Sequence, residues 1–70
     1  MEIPSPVMGV VKEILVAPGE AVAEGQEVMI LESMKMEIPV LAESGGRIGS
    51  ILVAEGEAVT EGQTVATLEA

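Results

Sequence analysis

The stretch VKEILVAPGEAVAEGQEVMILE, residues 11–32, is followed 37 positions later by IGSILVAEGEAVTEGQTVATLE, residues 48–69. Fourteen of the 22 aligned pairs are identical, which is far beyond chance and means two copies of one supersecondary unit. The segments ahead of each copy correspond loosely, with Ile3-Pro4 leading to Gly9 as Ile38-Pro39 leads to Gly45-Gly46. Two copies are too few for a solenoid. The expectation is one closed domain over residues 1–70 with approximate two-fold symmetry.

Inside each copy the signals are those of short strands. Ile14-Leu15-Val16 and Ile51-Leu52-Val53 are β-prone runs that stop at Pro18-Gly19-Glu20 and Glu55-Gly56-Glu57, where Gly supplies a positive φ. Ala21-Val22 and Ala58-Val59 are very short strands, closed by Glu24-Gly25-Gln26 and Glu61-Gly62-Gln63. The apolar phase shifts between Val11 and Ile14 and between Ile48 and Ile51, which predicts bulges at Lys12-Glu13 and Gly49-Ser50. The phase of residues 28–32 fits neither face. Pro4, Pro6 and Pro39 lack a ladder donor and belong on edges or at strand starts. No helical period is long enough to compete, so the residues predict an all-β sandwich or barrel.

Seventy residues bury only about 60% of the surface that the unfolded chain exposes. With 49% hydrophobic residues and no Phe, Trp or Tyr, the core must be made of Val, Ile, Leu, Met and Ala. Twelve acidic and three basic residues give a net charge of −9, which repels phosphate backbones and anionic lipid. Nucleic acid and membranes are therefore poor partners, whereas a basic protein surface would be steered in. Glu24, Glu27, Glu55, Glu57 and Glu61 read first as solvated surface and second as that steering field. The turn glycines read as backbone geometry, with no phosphate role. There is no run of about 18 apolar residues and no leader-like N-terminus, so a cytoplasmic location is the default expectation. His, Cys and Tyr are absent, which removes the usual general bases, soft metal ligands and most nucleophiles. Autonomous catalysis is not expected.

Between the two copies stands Glu32-Ser33-Met34-Lys35-Met36-Glu37. Copy one runs into this segment where copy two runs into the C-terminus, so a two-fold axis puts Lys35 at the pole opposite the chain ends. Three readings compete for it. A solvated turn lysine that keeps a strand edge soluble is the commonest case, but methionine on both sides is unusual for an exposed tip. A Schiff-base lysine needs burial or a neighbouring cation to favour the neutral amine, and here Glu32 and Glu37 flank it instead. An attachment point, acylated by another enzyme, asks for a protruding rigid hairpin, a flexible four-carbon stem and adaptable apolar flanks.

The segment closely resembles the Glu-Ala-Met-Lys-Met sequence around the modified lysine of biotinyl domains. The opening Pro-Val-Met-Gly-Val-Val and the repeated Pro-Gly-Glu-Ala-Val-Ala-Glu-Gly-Gln turn pair also resemble the biotinyl/lipoyl attachment family, so the likeness spans essentially the whole chain. It implies a flattened barrel, or barrel-sandwich hybrid, of two four-stranded antiparallel sheets related by a quasi-dyad. It also implies a non-catalytic carrier, monomeric in isolation, with biotin amide-linked to Lys35. Glu32, Ser33, Met34, Met36 and Glu37 would then be recognised by a biotin protein ligase. The implied partners are the biotin carboxylase and carboxyltransferase parts of a biotin-dependent carboxylase. Lipoyl domains usually present Asp-Lys-Ala, so Met34 and Met36 favour biotin over lipoate, and a lipoyl or dual carrier is the alternative, with an unmodified structural relative behind it. Ser33 departs from the usual Ala, and the short Ala17–Glu20 loop lacks the protruding thumb of some carriers, as in the small biotin/lipoyl attachment proteins. The chain fits either a free-standing carrier or an excised module.

Overall fold

The computed structural model describes residues 1–69 and contains eight strands. They are β1 (Glu2–Pro4), β2 (Gly9–Ile14), β3 (Ala21–Val22), β4 (Glu27–Ser33), β5 (Met36–Leu41), β6 (Gly46–Ile51), β7 (Ala58–Val59) and β8 (Thr64–Glu69). Two antiparallel four-stranded sheets result, in the orders β1-β8-β6-β3 and β5-β4-β2-β7. Each sheet takes two strands from each half of the sequence, so neither half can complete a sheet alone.

The offset of 37 read from the repeat carries β2 onto β6 and β3 onto β7 residue for residue. It also pairs every buried residue with another: Ile3 with Val40, Ser5 with Ala42, Val11 with Ile48, Val16 with Val53, Val22 with Val59, Val28 with Val65, Met29 with Ala66, and Leu31 with Leu68. The loose match of Ile3-Pro4 to Ile38-Pro39 is corrected by two positions. Ile3 pairs with Ala66 across the ladder as Val40 pairs with Met29, so Val40 is the image of Ile3 and Ile38 is only half-buried. Ser5 alone is polar in this core, and its hydroxyl donates to the Val7 carbonyl at 2.6 Å. That bond removes the penalty of burying a hydroxyl where the other half has Ala.

Register shifts fall between Val11 and Glu13 in β2 and between Ile48 and Ile51 in β6, at the two predicted bulges. The unclear phase of residues 28–32 has the same kind of cause. A third shift, between Glu27 and Met29 opposite β5, inserts one residue and lets both Val28 and Met29 face the core. β8 repeats it, with Val65 and Ala66 both buried. Pro4 and Pro39 lie in β1 and β5, each at the edge of its sheet, where a missing N–H breaks no ladder.

Four turns of one design connect these strands. In Ala17–Glu20, Ala23–Gln26, Ala54–Glu57 and Thr60–Gln63 the third residue is Gly at φ 84–89°, and the fourth N–H donates to the first carbonyl at 3.0–3.1 Å. This is type II geometry, which requires a positive φ at its third residue. The fourth side chain then folds back: Glu20, Gln26, Glu57 and Gln63 each accept a bond from the first residue's N–H at 3.0–3.1 Å. The turns also join the halves. Gly19 donates to the Ile48 carbonyl, and its image Gly56 donates to the Val11 carbonyl.

Candidate functional site

β4 and β5 are paired from Glu27 to Ser33, and Ser33 faces Met36 as the last pair before the turn. Only Met34 and Lys35 remain to reverse the chain. The two-residue hairpin loops that match the right-handed twist of their strands are types I′ and II′, and type I′ has positive φ at both positions. Met34 and Lys35 have φ of 52° and 66°, the only non-glycine residues in that region among those described. Each bears the cost of a side chain in left-handed backbone, which Gly or Asn would largely avoid. The hairpin is held there by ladder bonds along the whole of β4, by Leu31, fully buried, and by Ile38 beside it.

This geometry sets Lys35 at the extreme tip, exposed, with Met34 89% and Met36 59% exposed on either side. At the other end of the approximate dyad the chain termini are joined. The Met1 amino group donates to the Leu68 carbonyl at 2.8 Å, and the Leu68 N–H donates back to the Met1 carbonyl. Ile38 and Leu31 form the corresponding pair in the hairpin. The placement of Lys35 at the pole opposite the chain ends agrees with the symmetry read from the repeat.

Glu32 and Glu37 face each other directly across the ladder, one rung behind the Ser33–Met36 pair. The expectation that both simply flank Lys35 is refined by Lys12. From β2, Lys12 reaches across to Glu37, and its Nζ donates to Glu37 Oε2. This hydrogen bond and the charge of Glu37, helped by Glu32 and Glu13, hold the Lys12 ammonium above its ordinary value of 10.5, against an opposing effect of desolvation. The Lys12 side of the pair therefore stays charged below pH 10.5 and loses its proton only as pH rises through the higher folded value. In the sequence reading Lys12 marked only a predicted bulge. Alternation from the buried Val11 puts Lys12 on the solvent face of β2, and nothing in the sequence shows that Glu37 lies across it there.

An open groove of about 420 Å³ runs beside the tip between Met8, Val10, Ser33, Met34 and Val59. With Met8 69% exposed, the apolar surface around Lys35 extends beyond the two flanking methionines. A larger groove between Pro4, Pro6, Pro39 and Leu41 lies toward the other end of β5 and contains no cation. Of the acidic residues read as a steering field, Glu57 caps the Ala54 turn, and Glu55 accepts a bond from the Ile14 N–H at 3.1 Å. Their charges remain on the surface, but their positions are set by backbone.

Gly9 was not singled out in the sequence beyond its place ahead of the repeat. A Cβ there would meet the Glu32 carbonyl oxygen at 2.6 Å, and at Gly46, its image, a Cβ would press on the Glu69 carbonyl. The absence of a side chain at Gly9 lets β2 approach the strand that carries the lysine hairpin.

Comparison with known proteins agrees with this arrangement. A family model described as Biotin-requiring enzyme, Biotin_lipoyl, matches residues 3–68. The mitochondrial propionyl-CoA carboxylase alpha chain of Homo sapiens is 48% identical over 46 residues, which are 66% of this chain and 6% of that protein. Among solved structures, the urea carboxylase of Kluyveromyces lactis superposes with a TM-score of 0.94 at 32% identity, covering 99% of this chain and 6% of the carboxylase. The lipoyl domain of the 2-oxoglutarate dehydrogenase complex from Azotobacter vinelandii superposes with a TM-score of 0.75 at 33% identity, covering 91% of this chain and 81% of that domain. The chain thus spans only a small part of the carboxylases it matches. With a matching model over residues 3–68, a repeat that folds as two interleaved sheets, and a lysine at the tip of the central hairpin, this chain belongs to the biotinyl/lipoyl attachment family.

Proposed function

We propose that this chain is a biotin carboxyl carrier domain whose cofactor is amide-linked to the Lys35 amine. The observation that carries the reading is Lys35 itself, held out at the tip of a two-residue turn between two exposed methionines. The residues fit the group. The amine stands in solvent on a four-carbon stem, and among the described residues it has no ion-pair partner. In amide formation the neutral amine attacks an activated carboxyl carbon. The new C–N bond replaces the bond to the leaving group, and the amine gives up one proton.

Glu32, Ser33, Met34, Met36 and Glu37 form the surface that a biotin protein ligase would read. The methionines offer apolar, adaptable contact. When bound, biotin supplies the carboxyl-carrying chemistry between the biotin carboxylase and carboxyltransferase sites of a biotin-dependent carboxylase. The chain's own contribution is mechanical. A stiff hairpin on a tethered domain raises the local concentration of the group to roughly millimolar and reduces the freedom lost at each docking. On this reading the domain performs no bond chemistry of its own.

Lipoate is the alternative cofactor, supported by the superposition on a lipoyl domain. Met-Lys-Met in place of Asp-Lys-Ala argues for biotin. Intact mass measurement of the protein made with active biotinylating and lipoylating enzymes distinguishes biotinyl, lipoyl and bare forms. The expected product is a single biotinyl group, lost in Lys35→Arg and Lys35→Ala while the β-sheet circular dichroism spectrum is retained. Label persisting in those variants would move the site to Lys12 or the N-terminus and overturn the assignment.

A further inference from the structure

The chain has three basic side chains, and two of them are tied down. Arg47 donates to the Gly19 carbonyl at 3.1 Å, and Lys12 is bound to Glu37. The second tie is the unexpected one. Glu37 lies two residues from Lys35 in the chain, while Lys12 comes from β2, with β4 between it and β5. Glu37 also faces Glu32 across the ladder, and like charges in directly opposed positions repel. Such a pair attracts any cation nearby, and Lys35 belongs to the same hairpin. An opposite charge beside an amine favours its protonated form, which cannot attack a carbonyl.

We propose that Lys12 is a positioning residue for Lys35: by engaging Glu37 it keeps that carboxylate from binding the Lys35 ammonium and leaves the amine available for acylation. The part of this inference that concerns a ligase rests on the carrier reading; the part that concerns the amine does not. Lys12 follows the buried Val11 on the solvent face of β2, the face that also carries Val10 and its ladder partner Glu32, and from there its four-carbon stem crosses β4 to Glu37. Charged groups around the tip come from every neighbouring strand with one exception: Lys12 and Glu13 from β2, Glu32 from β4 and Glu37 from β5, whereas β7 brings only Ala58 and Val59. The side chains of Lys12 and Glu37 are 47% and 60% exposed. A pair so exposed contributes little to stability, so stability alone does not account for a cross-strand reach of this length.

Two effects of removing Lys12 act in one direction. The positive charge that repels an ammonium at the tip is lost, and Glu37 is released to pair with it. The test is pulsed acetylation with acetic anhydride across a pH series, with Lys35 acetylation quantified by peptide mass spectrometry. The Lys35 nitrogen attacks one carbonyl carbon of the anhydride, acetate leaves with the electron pair of the broken C–O bond, and the amine proton passes to solvent.

In Lys12→Met the pH midpoint for Lys35 should move up by about 0.3–0.5 unit at low salt, a roughly two- to threefold slower reaction at fixed pH below the midpoint. Lys12→Arg should leave it in place. Glu37→Gln should move it down, and Lys12→Met combined with Glu37→Gln should bring it back toward the parent. A purely structural role would shift Lys12→Met and Glu37→Gln the same way, and that result, or an unmoved midpoint in Lys12→Met, overturns the proposal. Should Lys12→Met fold poorly, an unmoved midpoint in Lys12→Arg beside a lowered one in Glu37→Gln supports the proposal, and a moved midpoint in Lys12→Arg or an unmoved one in Glu37→Gln overturns it. Ligase rates over the same pH series separate the two readings. A parent protein that is biotinylated on Lys35 with no pH difference among variants removes the positioning role and keeps the carrier. A midpoint shift without biotinylation keeps the positioning role and removes the carrier.

Discussion

Met34 and Lys35 occupy backbone that side chains disfavour, and the hairpin accepts it because the two-residue turns that match the strand twist all need positive φ at one or both positions. Left-handed backbone costs a residue roughly 1–2 kcal/mol, and Gly escapes that cost but loses about 0.4–1 kcal/mol through a freer unfolded chain. Met34→Gly should therefore stabilise the domain by about 0.5–1 kcal/mol, read as a higher urea midpoint at unchanged slope. The same change removes apolar surface beside the modified amine and should slow ligase labelling. A variant that is no more stable would mean that the turn is not strained at Met34. At this scale Lys35 was legible in the sequence because a cation between two methionines stands out in a chain of net charge −9. Lys12 was not, because its partner is 25 positions away and only the register of three strands brings them together.

Among the elements, the four turns were the most legible. Their glycines recur at matching places in the repeat, and the Glu or Gln that follows each one caps the turn. The bulges in β2 and β6 were also readable, since a phase shift between apolar residues within a strand has few other causes. The facing of β4 was not, because its extra residue lies opposite β5, and a sequence shows no partner strand. Close approach was equally hidden at Gly9, where a glycine in a strand is ambiguous until its neighbour is known. Gly9→Ala would push a methyl group to 2.6 Å from the Glu32 carbonyl, whereas at Gly45 the nearest atom is an ordinary 3.6 Å away. Gly9→Ala should cost about 1–3 kcal/mol in equilibrium unfolding, and Gly45→Ala much less. Equal effects would show that β2 can yield without loss.

For the molecule as a whole, interleaving has the largest consequence. Because each sheet draws two strands from each half, a fragment of residues 1–37 lacks most of β5 and all of β6, β7 and β8 and exposes the core side chains that its partner half would cover. Such a fragment should give the circular dichroism of an unfolded chain, and equimolar 1–37 and 38–70 fragments should recover the β-sheet signal only when mixed. A cooperative unfolding transition in either fragment alone would contradict this topology. The sequence by itself determined the all-β class, the pseudo-symmetry, the turn positions and the singular lysine, because each depends on contacts local in the chain or on a repeat visible without coordinates. Tertiary structure decided that Val40, and not Ile38, is the image of Ile3, which way β4 faces, and that Lys12 holds Glu37 beside the tip. Those depend on register between strands far apart in sequence, which is set only when both sheets close on a shared core.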